Sequence, residues 1–494
     1  MKSVITEKRL PWTKKDVFKV LAVYLLNILL LSILFLMGIA INGNGVDALK
    51  TFFSKPQKFL SFEILLIFAL GFMALYFIYE DKDFLHDASN SEMIFLIMEV
   101  SLILNFVFDK YVHSFSLPFA LVALLTLFLT DTRKSVFINI VFSFVFLICF
   151  YFINPLFANQ SVNGYLLFML IMSFCSGIVA TYLMSNVYSR SKLLLRSIIV
   201  SLPAVASVGL LLLIGYQADL VKIFVASGCT GPLSVAIFIV LLPVFESLFK
   251  KVSCFKFAEL TDHNSKLIKK MIEQAPGTFN HSIIVSNIAE ACATAIGEDA
   301  LLARTCAYYH DIGKLRRPEF FKENQGGGEN AHDEITPELS VNIIKAHTQD
   351  GYNLLIKNRI SEKVADVCLQ HHGTTPIVYF YDKAKKFTDG DVDISQFCYS
   401  GPKPRTKIAA IMMIADSSEA ATRTLADRSA ENVTKVVRGI VSDKMKLGQF
   451  EECEITLKEL NIIIYTVINT LTGVYHSRVE YPKVTLEGIE SDKN

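Results

Sequence analysis

Charge is scarce in this chain: Asp, Glu, Lys and Arg make up 19% of its 494 residues, and the formal net charge is +1. No global basic field is available to attract duplex nucleic acid, so any polyanionic ligand must be met by a local site. Paired cysteines are lacking too. The nine present (Cys149, Cys175, Cys229, Cys254, Cys292, Cys306, Cys368, Cys398 and Cys453) form no CxxC and no close pair. That excludes a zinc ribbon or dithiol motif and leaves reduced thiols that pack as small apolar side chains. No repeat at solenoid periods occurs, which removes stacked-repeat architectures.

What fills the place of charge is apolar sequence. Hydrophobic residues make up 52% of the chain and the mean hydropathy is +0.42, the signature of a membrane protein. Between residues 17 and 249 eight apolar runs are read as spans of a ~30 Å hydrocarbon core. They centre on Val20 to Ile41, Phe59 to Tyr79, Met93 to Phe108, Phe115 to Thr130, Val136 to Ile153, Tyr165 to Met184, Ser197 to Tyr216, and a stretch broken by Gly231-Pro232 and ending at Leu248. The third and fourth are short.

Lys2, Lys8, Arg9, Lys14 and Lys15 precede or open the first run, which predicts a cytoplasmic segment over residues 1–16 by the positive-inside bias. Eight crossings return the chain to the cytoplasm. Arg133-Lys134, the stretch with Arg190, Lys192 and Arg196, and Lys250-Lys251 then fall inside, and the uncharged Asn154 to Asn163 falls outside; Lys50, Lys55 and Lys58 run against the rule. The first run is too long for a signal-peptide core and is expected to be retained. Glu99, in mid-span, is expensive there unless paired or wetted.

Residues 250–494 change texture. Amphipathic segments alternate with Gly, Pro and Asp/Asn clusters and few strand-like alternations, which predicts an all-α soluble domain with a long surface loop over Phe387 to Arg405. Only His86 and His113 lie in the membrane half; His263, His281, His310, His332, His347, His371, His372 and His476 lie beyond it. His281 opens a segment with Ile284, Val285 and Ile288 at i+3, i+4 and i+7, so it faces the core of a helix. Leu302 to Lys314 reads as one helix carrying His310 and, about 100° further round, Asp311. His347 is placed at the end of a helix, His371-His372 at the end of another before Gly373, and Asp416 inside Ile408 to Arg423 on a face of Ala and Met. A lone buried carboxylate there needs a metal or another partner. Any one of these residues alone reads more readily as a satisfied core or surface side chain. Together, five imidazoles and two carboxylates are the ligand count of two metals sharing a bridge.

Those residues sit in an ordered set of motifs: Leu242-Pro-Val-Phe-Glu-Ser-Leu-Phe249, Glu259-Leu-Thr-Asp262, Ala275-Pro-Gly-Thr-Phe-Asn-His-Ser282, His310-Asp-Ile-Gly-Lys314, Asn330-Ala-His-Asp333, His371-His-Gly-Thr374, Gly401-Pro-Lys-Pro404 and Ala415-Asp416. With them the second half resembles an HD-domain phosphohydrolase, in detail the HD domain of the bacterial seven-transmembrane-HD cyclic di-AMP phosphodiesterases. The resemblance is close over residues 240 to 480 and extends in outline to the membrane half. It implies an all-α polytopic membrane domain followed by an all-α HD domain in the bacterial cytoplasmic membrane, both termini in the cytoplasm. It implies one metal on His281, His310, Asp311 and Asp416, and a second on Asp311, His347, His371 and His372, the ions being iron or manganese. Asp311 and Lys314 become the expected catalytic residues, Lys314 reaching a nonbridging phosphate oxygen. His332 is expected to line the cleft, and Tyr379 and Tyr381 either stack an adenine or belong to the core. The family's large extracellular domain after the first span has no counterpart here, where only Asn42 to Lys58 intervene.

Hydrolysis of cyclic di-AMP to pApA is the activity so implied. Cyclic di-GMP is an alternative substrate, weakened because the GYP motif of the HD domains that cleave it does not follow His371-His-Gly-Thr-Thr-Pro376. A nucleotide-binding membrane receptor without turnover is a third reading, disfavoured by the complete ligand set. The partners expected are a cyclic dinucleotide and the lipid bilayer, with no duplex nucleic acid; a homodimer is left open.

Overall fold

The computed structural model describes residues 12–43, 45–153, 162–213, 219–326, 330–387 and 391–474, with the backbone alone for 162–167 and 387. His476 and most of the Asn154 to Asn163 loop lie outside them. Every regular element among the described residues is helical, and the only β pairing is an isolated bridge between Pro376 and Cys398. The chain divides into two compact units, Met1–Phe255 and Lys256–Asn494.

Among the described residues of the first unit six helices are long and apolar enough to cross a membrane: Lys14–Asn42, Pro56–Glu80, Ala88–Tyr111, Thr132–Ile153, Arg190–Leu213 and Leu220–Phe249. Val162–Met184 adds another apolar helix of 23 residues. The run from Phe115 to Thr130 is not one continuous helix. Only Leu121–Leu129 is helical, nine residues or about 14 Å, under half the hydrocarbon thickness. Pro118 is the cause: it lacks a donor and disfavours helix at Leu117. The chain turns instead, with the N–H groups of Ser116, Phe119 and Leu121 donating to the carbonyls of His113, Leu117 and Pro118. Such backbone survives at membrane depth only when protein covers it, and Phe115, Leu117, Phe119 and Leu121 through Leu125 are all buried.

Pro232 has the opposite outcome. The stretch read as broken is one continuous helix, Leu220–Phe249, with Pro232 and Pro243 inside it. Proline at 232 deprives the Gly228 carbonyl of its i+4 donor, and the Ser201 hydroxyl supplies the missing hydrogen bond at 2.8 Å while accepting from the Gly231 N–H at 2.9 Å. Gly231 is needed for this approach, since a Cβ there would lie 2.1 Å from the Ser197 carbonyl oxygen. Glu99 is buried on Ala88–Tyr111, and its Oε1 has no hydrogen-bond partner among the described residues. Polar loops gather at one end of the unit: Asp16 lies 3.6 Å from His86, Lys134 bridges Asp81 and Asp131, and Lys251 donates to Asn90 at 2.6 Å.

The second unit is built around Pro276–Ile296, which packs against Ala300–Tyr309, Lys407–Arg423 and Leu457–Val474. Its inward positions Val285, Ile288, Ala289 and Cys292 are fully buried; each of the two branched side chains contributes roughly 1.5–3 kcal/mol on leaving water. Local signals start these helices. Pro276 and Pro337 occupy first-turn positions where no N–H is missed. The Asp299 carboxylate accepts from the N–H groups of Leu301 and Leu302, Thr336 caps Pro337–Lys357, and Thr406 caps Lys407–Arg423.

Candidate metal centre

Five segments converge on one buried point. His281 comes from the second turn of Pro276–Ile296, His310 and Asp311 from the end of Ala300–Tyr309, His347 from Pro337–Lys357, His371 and His372 from the end of Glu362–Gln370, and Asp416 from Lys407–Arg423. Two placements differ from the sequence reading. The His310 helix does not run on to Lys314: it stops at Tyr309, Asp311 adopts φ −105° and ψ 10°, and a 3₁₀ turn over Ile312–Arg316 follows. This break turns the Asp311 carboxylate towards the histidines of three other segments. His347 does not end its helix, which continues to Lys357, so a rigid interior position holds that imidazole.

The protonation of the rings follows from their partners. Nδ1 of His310, His347 and His371 faces the carbonyls of Ala307, Ile344 and Cys368 at 2.7, 2.5 and 2.9 Å. A carbonyl only accepts, so each Nδ1 donates, and Nε2 is the atom that each ring has left to offer a cation at the centre. His281 does the same through Glu419, whose Oε2 is 2.5 Å from its Nδ1. Around Asp311 the distances split by oxygen. Oδ2 lies 3.8 Å from His281 Nε2 and 3.3 Å from His310 Nε2, while Oδ1 lies 3.3 Å from His347 Nε2 and 3.6 Å from His371 Nε2. Asp416 offers Oδ1 at 3.0 Å from His281 Nε2 and Oδ2 at 3.6 Å from His372 Nδ1.

The residues fit a pair of metal ions. His281, His310, Asp311 and Asp416 form one set, and Asp311, His347, His371 and His372 another, with the ligand atoms of each set within 4.8 Å of one another. His310 Nε2 and Asp311 Oδ1 are buried with no hydrogen-bond partner among the described residues, a costly arrangement unless a cation satisfies them. His347 Nε2 faces His371 Nε2 at 3.4 Å, two ring nitrogens aimed at the same place. His372 is the exposed corner, with 18% of its side chain accessible against 4% or less for the other four histidines.

Electrostatics agree. Burial opposes charge on Asp311, yet Lys314 and His310 hold its carboxyl well below the usual range; burial likewise opposes charge on Asp416, which His281 and His310 keep ionised. Against its own burial, His310 is pushed up to about 10 by Asp311 and Asp416. His371 and His372 are lowered, first by burial and then by neighbouring imidazoles. The carboxylate side of the site therefore draws positive charge, which a divalent ion supplies more fully than a proton.

Lys314 lies at the rim, its Nζ 2.7 Å from Asp311 Oδ2 and 2.7 Å from Glu323 Oε1. His332 is buried between Phe320 and Phe380, where Nε2 donates to the Phe320 carbonyl at 2.7 Å, and it belongs to neither ligand set. Tyr379 is exposed and packs edge-on to Phe380, while Tyr381 packs on Phe397 beneath Lys385. Two aromatic rings do meet the cluster: Tyr399, stacked on His372 with centroids 4.2 Å apart, and Phe321, edge-on to His347 at 5.7 Å. Sequence reasoning passed over Tyr399, Glu323 and Glu419. Glu419 was within reach of it, standing one turn beyond Asp416 on the same helix face.

Glu419 has no exposed surface and fixes both the tautomer and the orientation of His281, the role of a carboxylate behind a metal-bound imidazole. Glu419→Ala is expected to weaken metal binding by about 10–100-fold. A metal titration of the variant matching the wild type would refute that role.

The fold and the site together define a multi-pass membrane protein that carries an all-α HD domain with a histidine-aspartate metal centre. A family described as "7TM receptor with intracellular HD hydrolase" matches residues 56–253, and the HD domain family matches residues 278–421. It is similar to the cyclic-di-AMP phosphodiesterase PgpH of Bacillus subtilis, 39% identical over 373 residues that cover 74% of this chain and 51% of the relative. The PgpH of Listeria monocytogenes is 42% identical over 330 residues, 66% of this chain and 45% of the relative. The chain thus spans about half the length of the curated relatives it matches. A crystal structure of the Listeria PgpH HD domain is 48% identical, with a TM-score of 0.41, covering 43% of this chain and all of that one.

Proposed function

We propose that this protein is a membrane-anchored phosphodiesterase that hydrolyses cyclic di-AMP to linear pApA with two divalent transition-metal ions, iron or manganese. The observation that carries the proposal is Asp311, whose two oxygens face two separate sets of imidazole nitrogens, the geometry of a bridging carboxylate. The substrate class rests on the relatives named for it.

His281, His310, Asp311 and Asp416 would hold one ion, and Asp311, His347, His371 and His372 the other; imidazole-rich sets of this kind suit either metal. When bound, the ions supply charge stabilisation at phosphoryl oxygens and a water activated at neutral pH. The chain's own residues do the rest. The carbonyl-anchored rings keep their Nε2 atoms fixed, which avoids reorganisation during the reaction. Lys314 offers a charge-assisted hydrogen bond to a nonbridging phosphate oxygen, and Tyr399 presents an aromatic face beside His372. All seven ligands come from one chain, so the site itself needs no homodimer. The gathering of Asp16, Lys134 and Lys251 at one end of the membrane unit supports an orientation in the bacterial cytoplasmic membrane with both termini in the cytoplasm.

The purified full chain, loaded with iron or manganese, is expected to convert cyclic di-AMP to pApA and to lose that activity on chelation. Comparable efficiency on cyclic di-GMP would redirect the substrate assignment. Tight binding of either dinucleotide with no turnover in the loaded protein would favour the receptor reading instead.

A further inference from the structure

A short segment after the His310-Asp311 motif is strapped across the Lys314 side of the site. It consists of two 3₁₀ turns, Pro318–Phe320 and Lys322–Asn324. One end is fastened to the first turn of the His281 helix: the Asn324 side chain accepts from the Thr278 N–H at 3.1 Å and donates to the Thr278 hydroxyl at 2.9 Å. Gly277 makes this approach feasible, because a Cβ there would lie 1.8 Å from the Glu323 carbonyl oxygen. The other end is held by His332, which donates to the Phe320 carbonyl. Between these anchors Phe321 sets its ring against His347 and 5.0 Å from the Lys314 ammonium, and the Glu323 carboxylate reaches that ammonium at 2.7 Å.

A lysine ammonium has three N–H donors. Asp311 and Glu323 take two of those on Lys314, leaving one. Without Glu323 the ammonium would pair with Asp311 alone and be free to turn about that single contact. We propose that Glu323 is a positioning residue: anchored by the strap, it fixes the Lys314 ammonium so that its remaining N–H serves a nonbridging oxygen of the phosphodiester. This rests on the phosphodiesterase reading above and adds to it a residue that touches neither metal nor substrate.

The test uses the full metal-loaded chain, with cyclic di-AMP and bis(p-nitrophenyl) phosphate as separate probes. Glu323→Ala is expected to lower kcat about ten- to a hundredfold, less than removal of a direct donor, with KM little changed, two ions still bound and a near-normal Tm. Glu323→Gln keeps an acceptor for Lys314 and should recover part of the loss. The deciding measurement is the double variant: if Glu323 acts through Lys314, Glu323→Ala adds nothing to Lys314→Ala. Multiplying effects, loss of the metals in Glu323→Gln, or no rescue by glutamine overturns the inference while the function stands. A wild type that cleaves bis(p-nitrophenyl) phosphate but not cyclic di-AMP removes the substrate assignment and leaves Glu323 still testable. One that cleaves neither overturns both.

Discussion

Replacing Asp311 by alanine is expected to empty both metal positions and to lower phosphodiester hydrolysis on the order of a thousandfold or more, the scale of losing the charge that stabilises the transition state. No other residue belongs to both ligand sets. Its two oxygens divide the histidines, with His310 at 3.3 Å from one and His347 at 3.3 Å from the other. Its loss also leaves Lys314 with Glu323 alone. The fold is expected to survive, since the carbonyl hydrogen bonds that orient the His310, His347 and His371 rings do not involve Asp311. Metal content and turnover measured on the same preparation decide it: two ions per chain, or activity near that of the wild type, would contradict the bridging role.

Much of the residue cluster was legible because its members are histidines and aspartates at fixed places in motifs, and His310-Asp311 and His371-His372 announce themselves as adjacent pairs. The local backbone around them was not. A 3.6-residue period over Leu302 to Lys314 conceals the turn at His310, since nothing in the period distinguishes a helix from a helix that ends in a 3₁₀ turn. His347 was placed at a helix end although its helix continues to Lys357; boundaries depend on capping and on packing against other segments more than on local pattern. In the membrane half, hydropathy marks Phe115 to Thr130 as an apolar run but does not show that Pro118 makes its first half a turn and leaves only Leu121–Leu129 helical. Whether a run faces lipid or lies inside a bundle is a tertiary property, and the buried Leu121–Leu129 helix shows the difference. Pro232 misled in the other direction, because its relief comes from Ser201, 31 residues earlier in the chain. The partners of the ligands were the hardest to see: Glu323 and Tyr399 reach the site from segments with no periodic signal.

Gly313→Ala is expected to disrupt the centre nearly as severely as loss of a ligand, by a purely steric route. Gly313 stands between Asp311 and Lys314 where the 3₁₀ turn Ile312–Arg316 crosses Pro337–Lys357. A Cβ at 313 would fall 1.9 Å from the His347 carbonyl oxygen and 2.5 Å from the Gly351 nitrogen. Both obstacles are backbone atoms in the middle of a helix, so no rotamer change relieves them, and the two segments must separate. Separation draws His347 away from Asp311, and with it the second metal set. Overpacking of this kind costs about 1–3 kcal/mol, with backbone obstacles at the upper end, so Tm is expected to fall by roughly 5–10 °C for a domain of this size. Gly351→Ala supplies the control on the other side of the same crossing. Its Cβ would meet Gly313 nitrogen at 3.2 Å and the Cys368 side chain at 3.3 Å, close contacts that small shifts can accommodate. The two variants should therefore separate in thermal melts and in metal content, with Gly313→Ala losing the His347 set and Gly351→Ala retaining both ions. Equal effects would mean that the crossing is looser than these distances require and that glycine at 313 serves something other than close approach.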